Sequence, residues 1–291
     1  MDFFRQMPLT FDIDLAAIDR AIKSFAVQYD AFFSGISGFI RAMIQLLQRA
    51  LNWTPWWALV LLVALIGWRR SGRVFTGVLY GALLYLVGAV GYWAEMNATL
   101  AIVIASVLLS VALGFPLGVL MSINDRIANA IRPVLDTMQT MPIFVYLIPS
   151  VMFFGIGAPP AVLATTIYSI VPMVRMTSLG IRQVDREVVE ASRAFGATYW
   201  QTLFLVQVPQ AIPTIMSGLN QTIMMAMAMV VTCSMIGAGG LGYEVLTGVN
   251  RIEVGRGLVS GTAVVIVAIL LDRLTQRWTK QSEEKALKGG A

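Results

Sequence analysis

Residues Gly180–Pro209 read GIRQVDREVVEASRAFGATYWQTLFLVQVP, a polar interlude between two long apolar runs. Glu187 to Phe195 has the makings of a short helix, with Val188, Val189, Ala191 and Phe195 available for packing. Gly196 supplies the permissive backbone that a helix end needs. Thr198, with Gln201 three residues on, is a capping-box pattern and starts a second short helix. Pro209 is expected to break the chain before the next apolar run. The pattern predicts a helix–turn–helix, a compact and partly apolar knob shaped to fit a groove on a soluble partner.

The surroundings of this knob are apolar. The 291 residues are 57% hydrophobic and 13% charged, with a mean hydropathy of +0.75. Soluble domains carry about 25% charged residues, and several runs here exceed the roughly 18 residues that cross a bilayer. The chain is therefore an all-α polytopic membrane protein with one membrane domain. Seven spans are expected, at about 53–68, 74–93, 99–121, 137–154, 161–180, 212–236 and 257–275. Trp53, Trp56, Trp57 and Trp68 bracket the first as an aromatic belt does, and Tyr92 and Trp93 close the second.

Charge sets direction. Arg69, Arg70 and Arg73, then Arg126 and Arg132, then Arg182, Arg186 and Arg193 lie in loops on one side if the spans alternate. The carboxyl-terminal tail, with Arg273, Arg277, Lys280, Lys285 and Lys288, falls on that side too. The opposite short loops, 94–98 and 155–160, contain no Lys or Arg. The positive-inside rule places the basic side in the cytoplasm, the amino terminus outside and the carboxyl terminus inside. Arg251, Arg256 and the basic residues of the N-terminal segment run against this trend. Arg175 falls within the fifth span, where a mid-bilayer guanidinium would cost about 2.5–3.5 kcal/mol. Snorkelling from the inner end of its helix is favoured over a buried ion pair.

The amino terminus lacks the basic, apolar and small-residue zones of a secretory signal. Phe11, Leu15, Ile18, Ile22 and Phe25 share a helical face, and a second amphipathic stretch, Ile36 to Leu51, follows expected breaks at Gly35 and Gly38. Two readings stand: helices on the membrane surface, or helices docked on the protein's own core.

Several chemistries are excluded. With no histidine and one cysteine, Cys233, the chain holds neither a His–Cys zinc site nor a Ser-His-Asp triad. No lysine follows a glycine, so a Walker A loop is absent and ATP with its Mg belongs to another subunit; no cofactor or metal is expected in this chain. The basic residues sit mostly in short loops, which suits membrane topology rather than nucleic acid. Gly237, Gly239 and Gly242 satisfy a dinucleotide-type glycine pattern, but an apolar helix precedes them where a strand is required. They are read as a tight turn at the outer mouth. Met224, Met225, Met227 and Met229 are read as packing.

For a solute path or gate, the candidates are Pro142, Tyr146, Tyr168, Asn220, Gln221 and Thr222. The polar groups either line the path or hydrogen-bond between helices. Pro142, Pro149 and Pro172 are expected to break the fourth and fifth spans, and broken helices turn carbonyls toward a cavity. Gly114, Pro116 and Gly118 allow the third span to kink and pack closely.

Glu190-Ala191-Ser192, three residues, Gly196, nine residues, then Val206-Gln207-Val208-Pro209 is similar to the EAA loop of ABC-importer permeases, E-A-A, x3, G, x9, I-x-L-P. Ser192, Val206 and Val208 depart from the pattern by small changes, and the spacing is intact. Ala98 to Gln276 resembles the glycine-betaine/proline-betaine (osmoprotectant) branch, through MPIFVYLIP (141–149), VPQAIPTIMSGLNQTIM (208–224), MIGAGGLG (235–242) and LLDRLTQ (270–276). The resemblance implies a type I ABC importer permease fold in the inner membrane, working as a homodimer with an ABC ATPase subunit dimer and an extracytoplasmic solute-binding protein. It implies that Glu187, Glu190, Ala191, Ser192, Phe195, Gly196, Ala197 and Pro209 belong to the ATPase-coupling loop, which this chain uses without being an enzyme. The implied solute is glycine betaine, choline or a related methylated amine; the alternatives are another solute, such as an amino acid or a sulfonate, or a stand-alone secondary transporter. The implied organisation is an N-terminal amphipathic segment (1–52), accessory spans (53–93), a core permease domain (94–280) and a cytoplasmic tail (281–291).

Overall fold

A computed structural model describes residues 14–288, with side chains placed through Thr275. The described residues are helical and loop, with no strand among them. Four helices are long and apolar enough to cross a membrane unaided: Trp93–Ile123, Ala158–Arg182, Tyr199–Ile236 and Val254–Thr275. The first two, α5 and α8, pack along each other and along the third; α13 (Val254–Lys288) closes the bundle.

Small residues let these backbones approach. A Cβ on Gly118 of α5 would lie 2.5 Å from the Thr177 Cβ and 2.7 Å from the Val174 carbonyl of α8. Lipid gives little hydrophobic drive for helices to associate, so packing and interhelical hydrogen bonds do that work. Ser110 and Ser169 hydroxyls meet at 3.0 Å, and the Thr166 hydroxyl donates to the Val162 carbonyl at 2.7 Å in its own helix while lying 3.4 Å from the Ser106 carbonyl across the seam. All five residues are buried. The close packing expected of Gly114 and Gly118 is met; Pro172 sits inside an unbroken α8, contrary to the expected break.

Ahead of the bundle lie α1 (Leu15–Gln28), α2 (Asp30–Trp53), α3 (Trp56–Ser71) and α4 (Val74–Ala89). Phe11, on the expected face of α1, lies outside the described residues. Gly35 and Gly38 do not interrupt α2. Nothing crowds either glycine, and Ile40 and Ile44, at 1% and 3% exposure, anchor the helix against the bundle. For α2 the docked reading therefore holds; α1 buries no residue. The chain bends by 91° between α2 and α3 at Pro55, so Trp53 ends one helix and Trp56 starts the next. At 16 residues each, α3 and α4 are about 24 Å long, short of the roughly 30 Å hydrocarbon core. Trp93 opens α5 after a turn at Gly91, where the sequence suggested it closed the second span.

The fourth span breaks at Pro142, as expected, while Pro149 sits inside an unbroken helix. α6 (Asp125–Thr140) and α7 (Phe144–Phe154) meet at 97° around Pro142. Ala128 and Leu135 bury one face of α6 against Val171 and Val174 of α8, which fixes its direction independently of α7. Arg175 pairs with Asp136 of α6, with 41% and 65% of the side chains exposed. The arginine is thus paired without being buried, and does not simply snorkel.

Beyond α11 (Val208–Cys233), a 3₁₀ turn, Ser234–Ile236, leads into the glycine cluster. Gly237, Gly239 and Gly240 all have φ near +75° to +80°. A Cβ on Gly240 would lie 2.4 Å from Thr99 Oγ1, which instead accepts the Leu241 N–H at 2.8 Å. Gly237 and Gly239 make the expected tight turn together with Gly240, whereas Gly242 lies inside α12 (Leu241–Asn250), a helix in the segment read as an outer loop. Arg256 ties α12 to α13 through Glu244 at 2.8 Å.

Candidate functional site

The interlude between α8 and α11 folds into the expected knob, and each joint has an identifiable cause. Asp185 caps α9 (Arg186–Ala194) by accepting the Glu187 N–H at 2.9 Å. Gly196, at φ +84°, ends it: Gly196 N–H reaches the Arg193 carbonyl at 2.9 Å and Ala197 N–H the Ser192 carbonyl at 3.2 Å, the paired bonds of a Schellman close. Thr198 and Gln201 form the reciprocal capping box that starts α10 (Tyr199–Gln201). The Ser192 and Thr202 hydroxyls lie 3.1 Å apart and pin the two halves together.

Pro209 does not break the chain. A π turn, Thr202–Gln207, joins α10 to α11, with Val208 N–H bonding to the Leu203 carbonyl five residues back. Proline lacks an N–H and its ring presses on the carbonyl four residues earlier, here that of Leu205. The wider turn just ahead of Pro209 relieves that clash, and the helix continues to Ile236.

The knob has two faces. Phe195 stands at its apex, 93% exposed, with Glu187, Ala191 and Ala194 exposed on the same helix; Ser192 and Ala197 are half-buried. Arg186, Val189, Glu190 and Arg193 recur at helical spacing on the other face. They line a pocket of about 340 Å³ together with Arg182, Tyr199 and Gln207. Glu190 therefore shares a wall with three arginines, although it joins none of the ion pairs formed among the described residues. Arg182 is held by Asp125 at 2.5 Å and also reaches the Met121 carbonyl, which anchors the end of α8 under the knob. These arginines were counted in the sequence only as topological charges; their helical spacing with Glu190 was the signal available.

The six path candidates are dispersed. Pro142 lines an apolar groove of about 460 Å³ with Phe144, Thr232, Met235 and Val249, and the other five are not on its wall. Tyr146 is buried and donates its hydroxyl to the Met138 carbonyl. Tyr168 is half-buried against the main core, Gln221 is exposed, and Thr222 is buried with its hydroxyl unpartnered. Asn220 is bound between helices: its amide donates to Asp272 at 3.2 Å and its carbonyl accepts from Thr275 at 2.6 Å. Asp272 was missed, although an acid inside an expected span is a functional signal in its own right.

Long apolar helices packed through glycine and serine, with a capped, solvent-exposed helix pair between two of them, define a membrane-embedded transport permease. The chain belongs to the family of binding-protein-dependent transport system inner membrane components, whose model matches residues 110–286. It is 44% identical over 283 residues to the glycine betaine/carnitine transport permease protein GbuB of Listeria monocytogenes, covering 96% of this chain and 100% of that one. It is 45% identical to the glycine betaine/proline betaine permease protein ProW of Escherichia coli (92% and 75% covered) and 43% identical to the glycine betaine permease protein OpuAB of Bacillus subtilis (95% and 96% covered). The inward-facing MetNI methionine ABC transporter matches with a TM-score of 0.58 at 22% identity, over 69% of this chain and 98% of that one, and so shares the fold. The expected osmoprotectant-permease resemblance and the type I importer fold both agree with these findings.

Proposed function

We propose that this chain forms the translocation path of an ATP-driven importer for glycine betaine or a related methylated amine. In this reading the α9–α10 knob is where a separate ATPase subunit pushes. The carrying observation is the apex: a phenylalanine at 93% exposure on a helix pair locked by a cap, a Schellman close and a capping box. A rigid, apolar, uncovered projection is the form of a surface that a partner covers. The transport functions of GbuB, ProW and OpuAB support the solute class.

The assembly we infer is a homodimer on two ATPase subunits, fed by an extracytoplasmic binding protein, with the knob on the cytoplasmic side and ATP and Mg held by the partner. Alternating access is a biased switch, and carrying it from 1:99 to 99:1 takes about 5.5 kcal/mol of differential interaction. The knob delivers that input mechanically, and the Pro142 groove at the α6–α7 break is our candidate for the moving gate.

The test is solute uptake by the complete complex in proteoliposomes with ATP inside. Gly196→Val and Glu190→Lys should leave membrane insertion intact and sever uptake from ATP hydrolysis. Wild-type uptake in both variants would overturn the coupling role. Uptake of an amino acid or sulfonate in place of betaine would overturn the solute class alone.

A further inference from the structure

The 91° elbow between α2 and α3 frames an open cavity of about 600 Å³ against the end of α4 and the start of α5. Its walls are mostly rings and small residues: Trp56, Tyr85 and Trp93, with Asn52, Val60 and Gly88 between them. Trp56 and Tyr85 have centroids 6.0 Å apart and planes inclined by 52°, so they form a corner instead of stacking face to face. Each remains 55% and 55% exposed respectively, open to a ligand. Gly88 lets the third ring close in, because a Cβ there would lie 3.0 Å from Trp93 Cε3.

No charged residue lines the cavity. Two of its polar groups are already engaged: the Asn52 carbonyl accepts from the buried Asn97 amide at 2.9 Å, and the Thr54 hydroxyl donates to the Ala50 carbonyl at 3.0 Å. The wall offers aromatic faces, whose quadrupole attracts cations, and no fixed charge to bind an anion. A small inorganic cation would hold its water. An alkylated ammonium is weakly hydrated and presents methyl or methylene surface to the rings.

We propose that this elbow binds the ammonium group of a small zwitterion or cation, either a free methylated amine or the headgroup of a lipid. It would be a site where the accessory helices meet the start of α5. The inference rests on the chemistry of the walls and stands whichever solute the permease carries.

The test uses the full-length chain in nanodiscs of phosphatidylglycerol alone, with tryptophan fluorescence followed as choline is added. A saturable change is expected, with none from 3,3-dimethylbutanol, the uncharged isostere of choline. Tyr85→Leu should weaken the apparent affinity about tenfold while Tyr85→Phe stays within about twofold, as a ring-face interaction requires. Gly88→Leu, which fills the cavity, should abolish the response, with circular dichroism checking that the helices persist. Repeating the titration with phosphatidylcholine in the nanodisc separates the sources. A several-fold rise in the apparent Kd for choline identifies a lipid headgroup as occupant, and an unchanged Kd identifies the free amine, by simple competition. A non-saturating response, an equal response to 3,3-dimethylbutanol, or wild-type affinity in Tyr85→Leu would each overturn the proposal. Betaine uptake by the complete complex is measured separately, so loss of this site and loss of the transport reading are distinguishable.

Discussion

The α5–α8 seam and the α9–α10 knob are both well determined, by opposite means. The seam joins residues 56 to 60 positions apart in sequence through buried hydroxyls and glycines that admit no Cβ. The knob is held by bonds that reach at most ten positions, from Asp185 to Glu187, Ser192 to Thr202 and Thr198 to Gln201. In an apolar surrounding, shape and internal hydrogen bonds must do what water does elsewhere. On the wet side, capping the helix ends is enough. The seam should therefore fail as a unit when one small residue grows, while the knob should lose only the joint that is struck.

The sharpest way to break this contrast is Gly118→Leu. Its side chain would enter the Thr177 and Val174 backbone space, and overpacking of this kind costs about 1–3 kcal/mol or more. Loss of the folded peak in detergent chromatography is the expected readout, and survival of that peak would mean the seam yields locally. Next comes Gly196→Val, which forces a β-branched residue to φ +84°. The strain is about 1–3 kcal/mol, confined to the knob, so the thermal midpoint of the bundle should hardly move while ATP-driven uptake collapses. Ser192→Ala removes one interhelix hydroxyl contact and should cost about 0.5–1.5 kcal/mol of local order, read as faster amide exchange at Thr202. Arg175→Gln should do least, because an exposed pair contributes about 0–1 kcal/mol. A large loss of stability in that variant would show that membrane burial makes Arg175 part of the seam.

The same division explains what could be read from the sequence. The knob was legible because Gly196, Thr198 and Gln201 are local instructions that act where they stand. The long spans were legible because apolar length is a local property too. The α6–α7 bend was legible only as a proline signal at Pro142. The direction of α6 depends on Ala128 and Leu135 finding Val171 and Val174, about forty positions on, and no periodicity announces such a meeting. Gly35 and Gly38 misled for the converse reason. Each is permissive but uncrowded, and burial of Ile40 and Ile44 carries α2 straight through. Pro209 misled because the rule that proline ends a helix leaves out the π turn that accommodates it. Asn220 was noticed and Asp272 was not, so the bond that occupies both stayed invisible until the two helices were placed together.

The π turn also sets a phase. The helix from Tyr199 to Ile236 runs 38 residues without a break, about 57 Å at 1.5 Å per residue, and each residue advances it by about 100°. One residue more or fewer between Thr202 and Gln207 would leave both ends chemically unchanged and rotate one against the other by more than a quarter-circle. Ser192 and Thr202, both ahead of the altered count, would stay paired and every cap would stay in place, while the knob as a whole turned against α11. The azimuth of the knob relative to the glycine turn at Gly237 is thus written in a count of residues, and an insertion or deletion there would alter the machine's timing without altering any of its parts.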